Sequence, residues 1–289
     1  MAPDLRDAWT DLLHRRAAFA PTLAPYEELV RVWAGAPVED VVALDWDAAR
    51  CAERWRQGRP LLADAAPALG REALEAVLGP VLDVVVAVRG DLAPGVQRFA
   101  DAWDAGRVEP VALLPGPGRL SRLDPDLGLP EAVAGFVAAV TLRPFLEAWF
   151  ARVREHPSDG VWMVGFCPCC GAPPGFGDVL EDGRRRLACH VCGTGWIASR
   201  MVCPHCGNDR SADLVRLEAE TSDEGYFISA CRRCGVYLKE LDRRVRWNAG
   251  PALVEDWGSP HLDLVARRAG YRRVLPTLLE LATLPCGKS

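Results

Sequence analysis

The amino-acid sequence predicts a multidomain chain: an N-terminal all-α helical domain, two tandem rubredoxin-like or zinc-ribbon modules of short β-strands around metal, and C-terminal helices. Three observations predict it. Apolar residues recur at helical spacing through the first 160 residues, with no useful strand alternation before Trp162. Eight cysteines fall into four CxxC pairs between Cys167 and Cys234, and the stretch that carries them repeats itself. The boundaries that follow are 1–160 for the helical domain, 161–200 and 201–248 for the two modules, and 249–289 for a helical tail.

In the first domain Trp9, Leu12, Leu13 and Ala17 share one face of a helix over 3–19, and Tyr26, Leu29, Val30 and Trp33 do the same over 25–36. Helices over 46–57, 72–88, 95–104 and 130–154 are each bounded by proline, glycine or an acidic start. Between the last two, LLPGPGRLSRLDPDLGLP (113–130) is dense in Gly and Pro and reads as a loop. The tryptophans at 9, 33, 46, 55, 103 and 149 fall at helical positions, which marks them as core or groove lining. Beyond the cysteines, 262–269 and 275–284 read as closing helices.

The pairs are Cys167/Cys170, Cys189/Cys192, Cys203/Cys206 and Cys231/Cys234, and glycine follows each one: Gly171, Gly193, Gly207 and Gly235. Two thiolates two residues apart can grip one ion only where the backbone turns sharply and aims its N–H groups at sulfur, and glycine permits the left-handed conformation this needs. Pro168 and Pro204, after the first cysteine of pairs one and three, pre-set the turn. Eight thiols suffice for two tetrahedral ions, two pairs to each.

Gaps of 18, 10 and 24 residues separate successive pairs, so sequential pairing closes the shorter loops. An interleaved cross-brace, first pair with third and second with fourth, is the alternative. The repeat argues against it. Residues 162–200 and 201–242 each run CPxCG, a charged turn, a strand-like stretch (186–188; 226–230), then CxxCG.

A divalent ion held by four thiolates carries a formal charge of −2, and Arg184, Arg185, Arg186, Arg232 and Arg233 are candidates to offset it, set against the plainer reading of a solvated face. Zinc would make the sites structural, whereas iron in the same cage could cycle by one electron; these residues serve either. Three cysteines stand outside the pairs. Cys169 lies free inside the first knuckle, Cys51 reads as a small buried hydrophobe, and Cys286 as a spectator in the tail. His190 and His205 sit inside knuckles, but both flanking cysteines are present in each case.

Composition sets the context. At 289 residues, 49% hydrophobic and 25% charged, the chain has ample core. The start, MAPDLRDAW, is acidic and polar where an export signal is basic and then apolar, and the longest apolar stretch, 132–142, is too short to cross a bilayer. The expectation is a cytoplasmic protein without membrane insertion, in which CxxC clusters mean metal or redox chemistry. Residues 1–160 hold 17 basic and 24 acidic residues, a net of −7, and 161–289 hold 17 and 15, a net of +2. That is thin for nucleic-acid binding. No catalytic constellation emerges: His14 and His156 lack partners at ligand spacing, Glu27/Glu28 and Glu72/Glu75 are ordinary helix carboxylates, and there is no phosphate loop and no GxSxG.

The runs GFCPCCGAPP (165–174), LACHVCGTGW (187–196), MVCPHCGN (201–208) and CRRCGVYLKELD (231–242) resemble the signature of the formate dehydrogenase accessory proteins, the FdhE family. The resemblance includes Gly165, Pro173, Leu187, Trp196, Arg200, Tyr237 and Lys239, and departs from the pattern at Cys169. It covers the C-terminal half; the helical half fits by length and class. It implies a cytoplasmic, non-enzymatic maturation factor that binds the catalytic subunit of a molybdenum or tungsten formate dehydrogenase before export. The knuckles would rigidify a contact surface, the helical domain would supply most of the grip, and iron, if present, would sense or adjust redox state. Tyr237, Lys239, Trp196 and Arg200 are the exposed candidates for partner contact, with Trp196 and Tyr237 equally readable as knuckle covers. Two rivals stand beside it: a rubredoxin-type electron carrier, and a zinc-ribbon nucleic-acid binder using the arginines at 184–186 and 243–246. Oligomeric state is open, a homodimer included.

Overall fold

The computed structural model describes residues 3–157, 160–218 and 223–283. Six helices form the N-terminal half: α1 (Pro3–Arg15), α2 (Ala20–Ala34), α3 (Ala48–Arg56), α4 (Arg71–Val88), α5 (Ala93–Asp104) and α6 (Glu131–Trp149). The Asp47 side chain caps α3, accepting the Arg50 N–H at 2.8 Å. The helix expected over 3–19 stops at Arg15, and a 3-10 turn over Ala17–Phe19 leads into α2. That helix starts before Pro25 because Pro21 supplies the first-turn proline, and Pro25 inside removes a single donor.

The central helix α6 is longer than the apolar run 132–142 suggests. Its 19 residues have the length and apolarity of a membrane span, and 78% of its most apolar window is buried within the fold. A helix apolar on all sides is one surrounded by neighbours, and α6 packs on α4 and α2. The charged residues that interrupt it are paired, Arg143 with Glu147 at 3.5 Å. Residues 114–130 form an irregular segment with a tight turn closed between Gly116 and Arg119 and a short 3-10 turn, Pro125–Leu127, as the Gly/Pro density requires.

Six short strands follow: β1 (Phe176–Val179), β2 (Arg185–Ala188), β3 (Gly195–Ala198), β4 (Leu214–Leu217), β5 (Tyr226–Cys231) and β6 (Tyr237–Asp242). They make two antiparallel three-stranded meanders joined into one six-stranded sheet, in the order β3-β2-β1-β6-β5-β4. The joint is a parallel pairing of β1 with β6, with Gly177 opposite Glu240. Helices α7 (Ala252–Trp257), α8 (Pro260–Arg268) and α9 (Leu278–Thr283) close the chain. The closing helices expected at 262–269 and 275–284 correspond to α8 and α9; position 284 and Cys286 lie outside the described residues.

One apolar core runs from α1 through α6 into the first meander, where Leu187, Val191 and Trp196 belong to it. A second lies under the second meander, where Tyr226, Ile228 and Leu241 meet Leu262 and Ala266 of α8. Helix α7 ties the halves together. Its Trp257 packs at 4.4 Å from Tyr26 and 5.4 Å from Trp33, ring centroid to centroid, while the adjacent Asp256 faces the sheet.

Candidate metal centres

All four CxxCG segments fold into one backbone turn. The glycine N–H donates to the first cysteine's carbonyl in each: Gly171 to Cys167 at 2.9 Å, Gly193 to Cys189 at 3.0 Å, Gly207 to Cys203 at 3.0 Å and Gly235 to Cys231 at 2.9 Å. The first cysteine's N–H in turn donates to the residue after the glycine, as from Cys167 to Ala172 at 2.8 Å. The glycines hold φ between 68° and 82°, a region that side chains with a Cβ avoid. This is the turn that the glycine pattern requires.

The turns converge in sequential pairs. Cys167, Cys170, Cys189 and Cys192 form one cluster and Cys203, Cys206, Cys231 and Cys234 the other, with the sulfurs of each within 4.8 Å of one another. The interleaved cross-brace is not adopted. Across each cluster the Sγ–Sγ distances are 3.5 Å for Cys167–Cys192 and Cys170–Cys189, and 3.8 Å for Cys203–Cys234 and Cys206–Cys231. A tetrahedron of metal–sulfur bonds of about 2.3 Å has sulfur edges of about 3.8 Å, whereas a disulfide would need about 2.05 Å. The donor set therefore fits a tetrahedral thiolate-bound ion at each site, and four sulfurs suit zinc and iron alike.

Burial raises the thiol pKa of Cys167, Cys170 and Cys189 well above its ordinary value. At Cys192 burial acts in the same direction but is outweighed by hydrogen bonds from Cys167, Cys170, Cys189 and Thr194, which pull it below. A metal cation would take the place of those protons. Thr194 lies 3.3 Å from the Cys192 sulfur, and the Asn208 amide 3.8 Å from that of Cys231.

The two sites differ in their surroundings. In the first, the four cysteines are 0–2% exposed, and the helical domain clamps the turn: Trp55 Nε1 donates to the Pro168 carbonyl at 2.9 Å and the Leu62 N–H to that of Cys169 at 2.9 Å. In the second, Cys206 is exposed and Cys234 half-buried. Cys169, buried against Cys167 and Thr194, stands beside the first cluster as a fifth thiol. Cys51 is fully buried as a small apolar residue. The imidazoles of His190 and His205 stay outside the clusters.

Three of the four residues expected to be exposed are not. Trp196 is 2%, Tyr237 1% and Lys239 0% exposed, and only Arg200 faces solvent. Lys239 lies in a buried ionic network, with its Nζ 3.0 Å from Asp256 and 2.8 Å from Asp263. Arg273 bridges the same two carboxylates at 2.8 and 3.2 Å, and the Tyr237 hydroxyl donates to Asp263 at 2.7 Å. The network carries Lys239 inside because two carboxylates and backbone carbonyls replace its water shell.

Four of the five arginines expected to offset the clusters are engaged elsewhere; Arg233 has no side-chain partner among the described residues. Arg184 pairs with Asp182, Arg185 with the buried Glu240 at 2.6 Å, and Arg186 with Asp178 at 2.8 Å; Arg232 donates to the Ala212 carbonyl at 3.2 Å. The cation beside the first cluster is one that the spacing did not indicate, Arg143 of α6, which donates to the His190 carbonyl at 2.6 Å. The basic run at 243–246 is likewise neutralised: Arg243 by Asp178, Arg244 by Asp242 and Arg246 by Asp223.

No protein-family model matches the chain. It is 31% identical over 159 residues to the FdhE homologue of Stutzerimonas stutzeri, covering 52% of this chain and 50% of that protein. With the FdhE homologue of Aquifex aeolicus it shares 33% identity over 155 residues, 51% of this chain and 52% of the relative. In these matches the chain spans about half the relatives' length. The similarity to the FdhE homologue of Pseudomonas aeruginosa extends over 96% of this chain and 92% of that protein at 25% identity. The crystal structure of the FdhE protein from Pseudomonas aeruginosa has the same fold, with a TM-score of 0.56 at 21% identity over 95% of this chain and 93% of that one.

Proposed function

We propose, for a chain that is a homologue of the FdhE proteins, the role of a cytoplasmic accessory factor for formate dehydrogenase, one that binds the catalytic subunit of the molybdenum or tungsten enzyme before export. The observation that carries the reading is the pair of four-thiol cages fused into one sheet and clamped to a helical domain. This arrangement holds a surface rigid, and binding rather than catalysis is the task it suits.

The ligands are Cys167, Cys170, Cys189 and Cys192 at the first site and Cys203, Cys206, Cys231 and Cys234 at the second. A bound zinc or iron ion would supply the bonds that lock each turn. The protein's own residues do the rest: the glycine turns aim the sulfurs, burial excludes water from the first cage, and the Lys239 network fixes the C-terminal helices to the sheet.

Affinity co-purification from cells making a formate dehydrogenase tests the proposal. The catalytic subunit should accompany the wild-type chain and be lost with Cys203→Ser/Cys206→Ser, which should also lower bound metal by one equivalent. Capture by neither form would remove the central claim. The solvent exposure of Cys206 favours a second reading, a rubredoxin-type electron carrier, because one-electron transfer needs a reachable sulfur. That reading requires reversible bleaching of an iron–thiolate spectrum, and a colourless, zinc-loaded protein eliminates it. A nucleic-acid role is disfavoured by the local neutralisation of the arginines at 184–186 and 243–246.

A further inference from the structure

A cleft of about 530 Å3 opens between the irregular segment that precedes α6 and the chain that follows α8. Arg119, Arg122 and Arg272 line it, all exposed, and among the described residues none has a carboxylate partner within ion-pair distance. This sets them apart from the runs at 184–186 and 243–246, whose arginines are held by Asp or Glu. The fourth arginine of the cleft, Arg273, is buried and committed to Asp256 and Asp263. Two acids share the wall: Asp124, whose carboxylate accepts the Asp126 N–H at 2.9 Å, and Glu131 in the first turn of α6. The lining remains cationic by one unit in a chain of net charge −5.

Its shape and lining restrict the ligand. Leu120, Leu123 and Val274 supply apolar wall between the guanidinium groups, and the cleft far exceeds one oxyanion. Segment 121–124 lines it without helix or strand pairing and is extended at Asp124, and the N–H groups of Leu120, Ser121 and Leu123 have no hydrogen-bond partner among the described residues. Unpaired main-chain donors, alternating apolar contacts and guanidinium groups are what an extended acidic peptide needs.

We infer that this cleft is the docking site for an extended, Asp/Glu-rich segment of the partner polypeptide. The inference deepens the accessory-protein reading and rests on it for the partner's identity. Both walls are anchored to knuckle turns: the Gly118 N–H donates to the carbonyl of Gly171 at 2.9 Å, the Arg272 N–H to that of Gly235 at 2.9 Å, and the Tyr237 N–H to that of Arg272 at 3.0 Å. The first cluster thus positions one wall and the second cluster the other. Metal in the cages sets the width of the grip.

Fluorescence anisotropy with the full, zinc-loaded chain tests this, using a fluorescein-labelled peptide of about ten residues rich in Asp, Glu and Leu and its Lys-for-acid counterpart. The acidic peptide should bind, the basic one should not, and Arg122→Glu/Arg272→Glu should weaken binding by roughly tenfold or more. Arg268→Glu, an exposed arginine outside the cleft, should leave it unchanged. Absence of binding at low salt, equal binding by the double variant, or complete displacement by millimolar inorganic phosphate, the mark of a small-oxyanion site, would each overturn the inference. Co-purification separates it from the accessory reading. If wild type and the Arg122→Glu/Arg272→Glu variant capture the catalytic subunit equally, the cleft assignment falls and the accessory role stands. If neither captures it while the acidic peptide still binds in an arginine-dependent way, the cleft stands and the accessory role falls.

Discussion

Removing metal from the protein with a chelator should release it in two steps of very different speed. To reach the first cage a chelator must part the knuckle from the helical domain. Five hydrogen bonds hold them: Trp55 Nε1 to the Pro168 carbonyl, the Leu61 N–H to the Pro168 carbonyl, the Leu62 N–H to the Cys169 carbonyl, the Gly118 N–H to the Gly171 carbonyl and Arg143 to the His190 carbonyl. At about 1 kcal/mol net apiece, opening costs about 5 kcal/mol, a factor of a few thousand in the open population. The second cage has Cys206 at the surface and, among the described residues, no helical clamp to part. Zinc-loaded protein mixed with excess pyridylazoresorcinol should therefore develop colour in a fast phase and a slow phase of one equivalent each, with rates roughly a few thousandfold apart. Cys206→Ser should abolish the fast phase alone. A single phase carrying both equivalents, or a fast phase that survives Cys206→Ser, would refute the reasoning.

Three further outcomes follow from the packing. A methyl group at position 165 would sit 1.8 Å from the Pro204 carbonyl oxygen, so Gly165→Ala must push the knuckles apart; we expect a loss of about 3 kcal/mol, read as a Tm lowered by roughly 5–10 °C in calorimetry. Lys239→Met leaves two buried carboxylates sharing Arg273 and should cost about 3–5 kcal/mol in urea titration, whereas Arg244→Ala, at a solvent-screened pair, should leave the midpoint essentially unchanged. Burial, opposed by Asp256, lowers the His190 pKa to about 3, below its unfolded value of about 6.5. Between these values the unfolded chain binds a proton that the native one refuses, so stability falls with falling pH by about 1.4 kcal/mol per pH unit. Acid titration of His190→Asn by circular dichroism should show this slope reduced relative to wild type, and an unchanged slope would assign the acid sensitivity to other groups.

How much of this the sequence disclosed depended on how local each signal was. The cysteine clusters were legible because the constraint lies within five residues: a CxxC pair and a glycine at positive φ. The helices of the first half other than α6 were legible because one face is buried and the other wet, and α6 because its apolar run is long. The strands β1, β3, β4 and β6 were not, since runs of four to six residues offer little alternation, and β1 and β6 offer none: every residue of Phe176–Val179 and of Tyr237–Asp242 is buried. Lys239 reads as a surface residue until the fold brings it Asp256 and Asp263 from later in the chain. Helix α7 escaped for the same reason, because Glu255 and Asp256 inside ALVEDW are buried and paired. Its charges mask its role as the link between the two halves.

The parallel β1–β6 joint also imposes an order of events during synthesis. Gly177 finds its partner in Glu240, sixty-three positions later, so the first meander leaves the ribosome with a bare strand edge and keeps it until the second is complete. Bare edges recruit other chains. Early closure of the first cage, whose four thiols are all made by Cys192, would hold that edge in shape while it waits. The timing of metal supply would then decide between a monomer that completes its own sheet and one that borrows a strand from a neighbour.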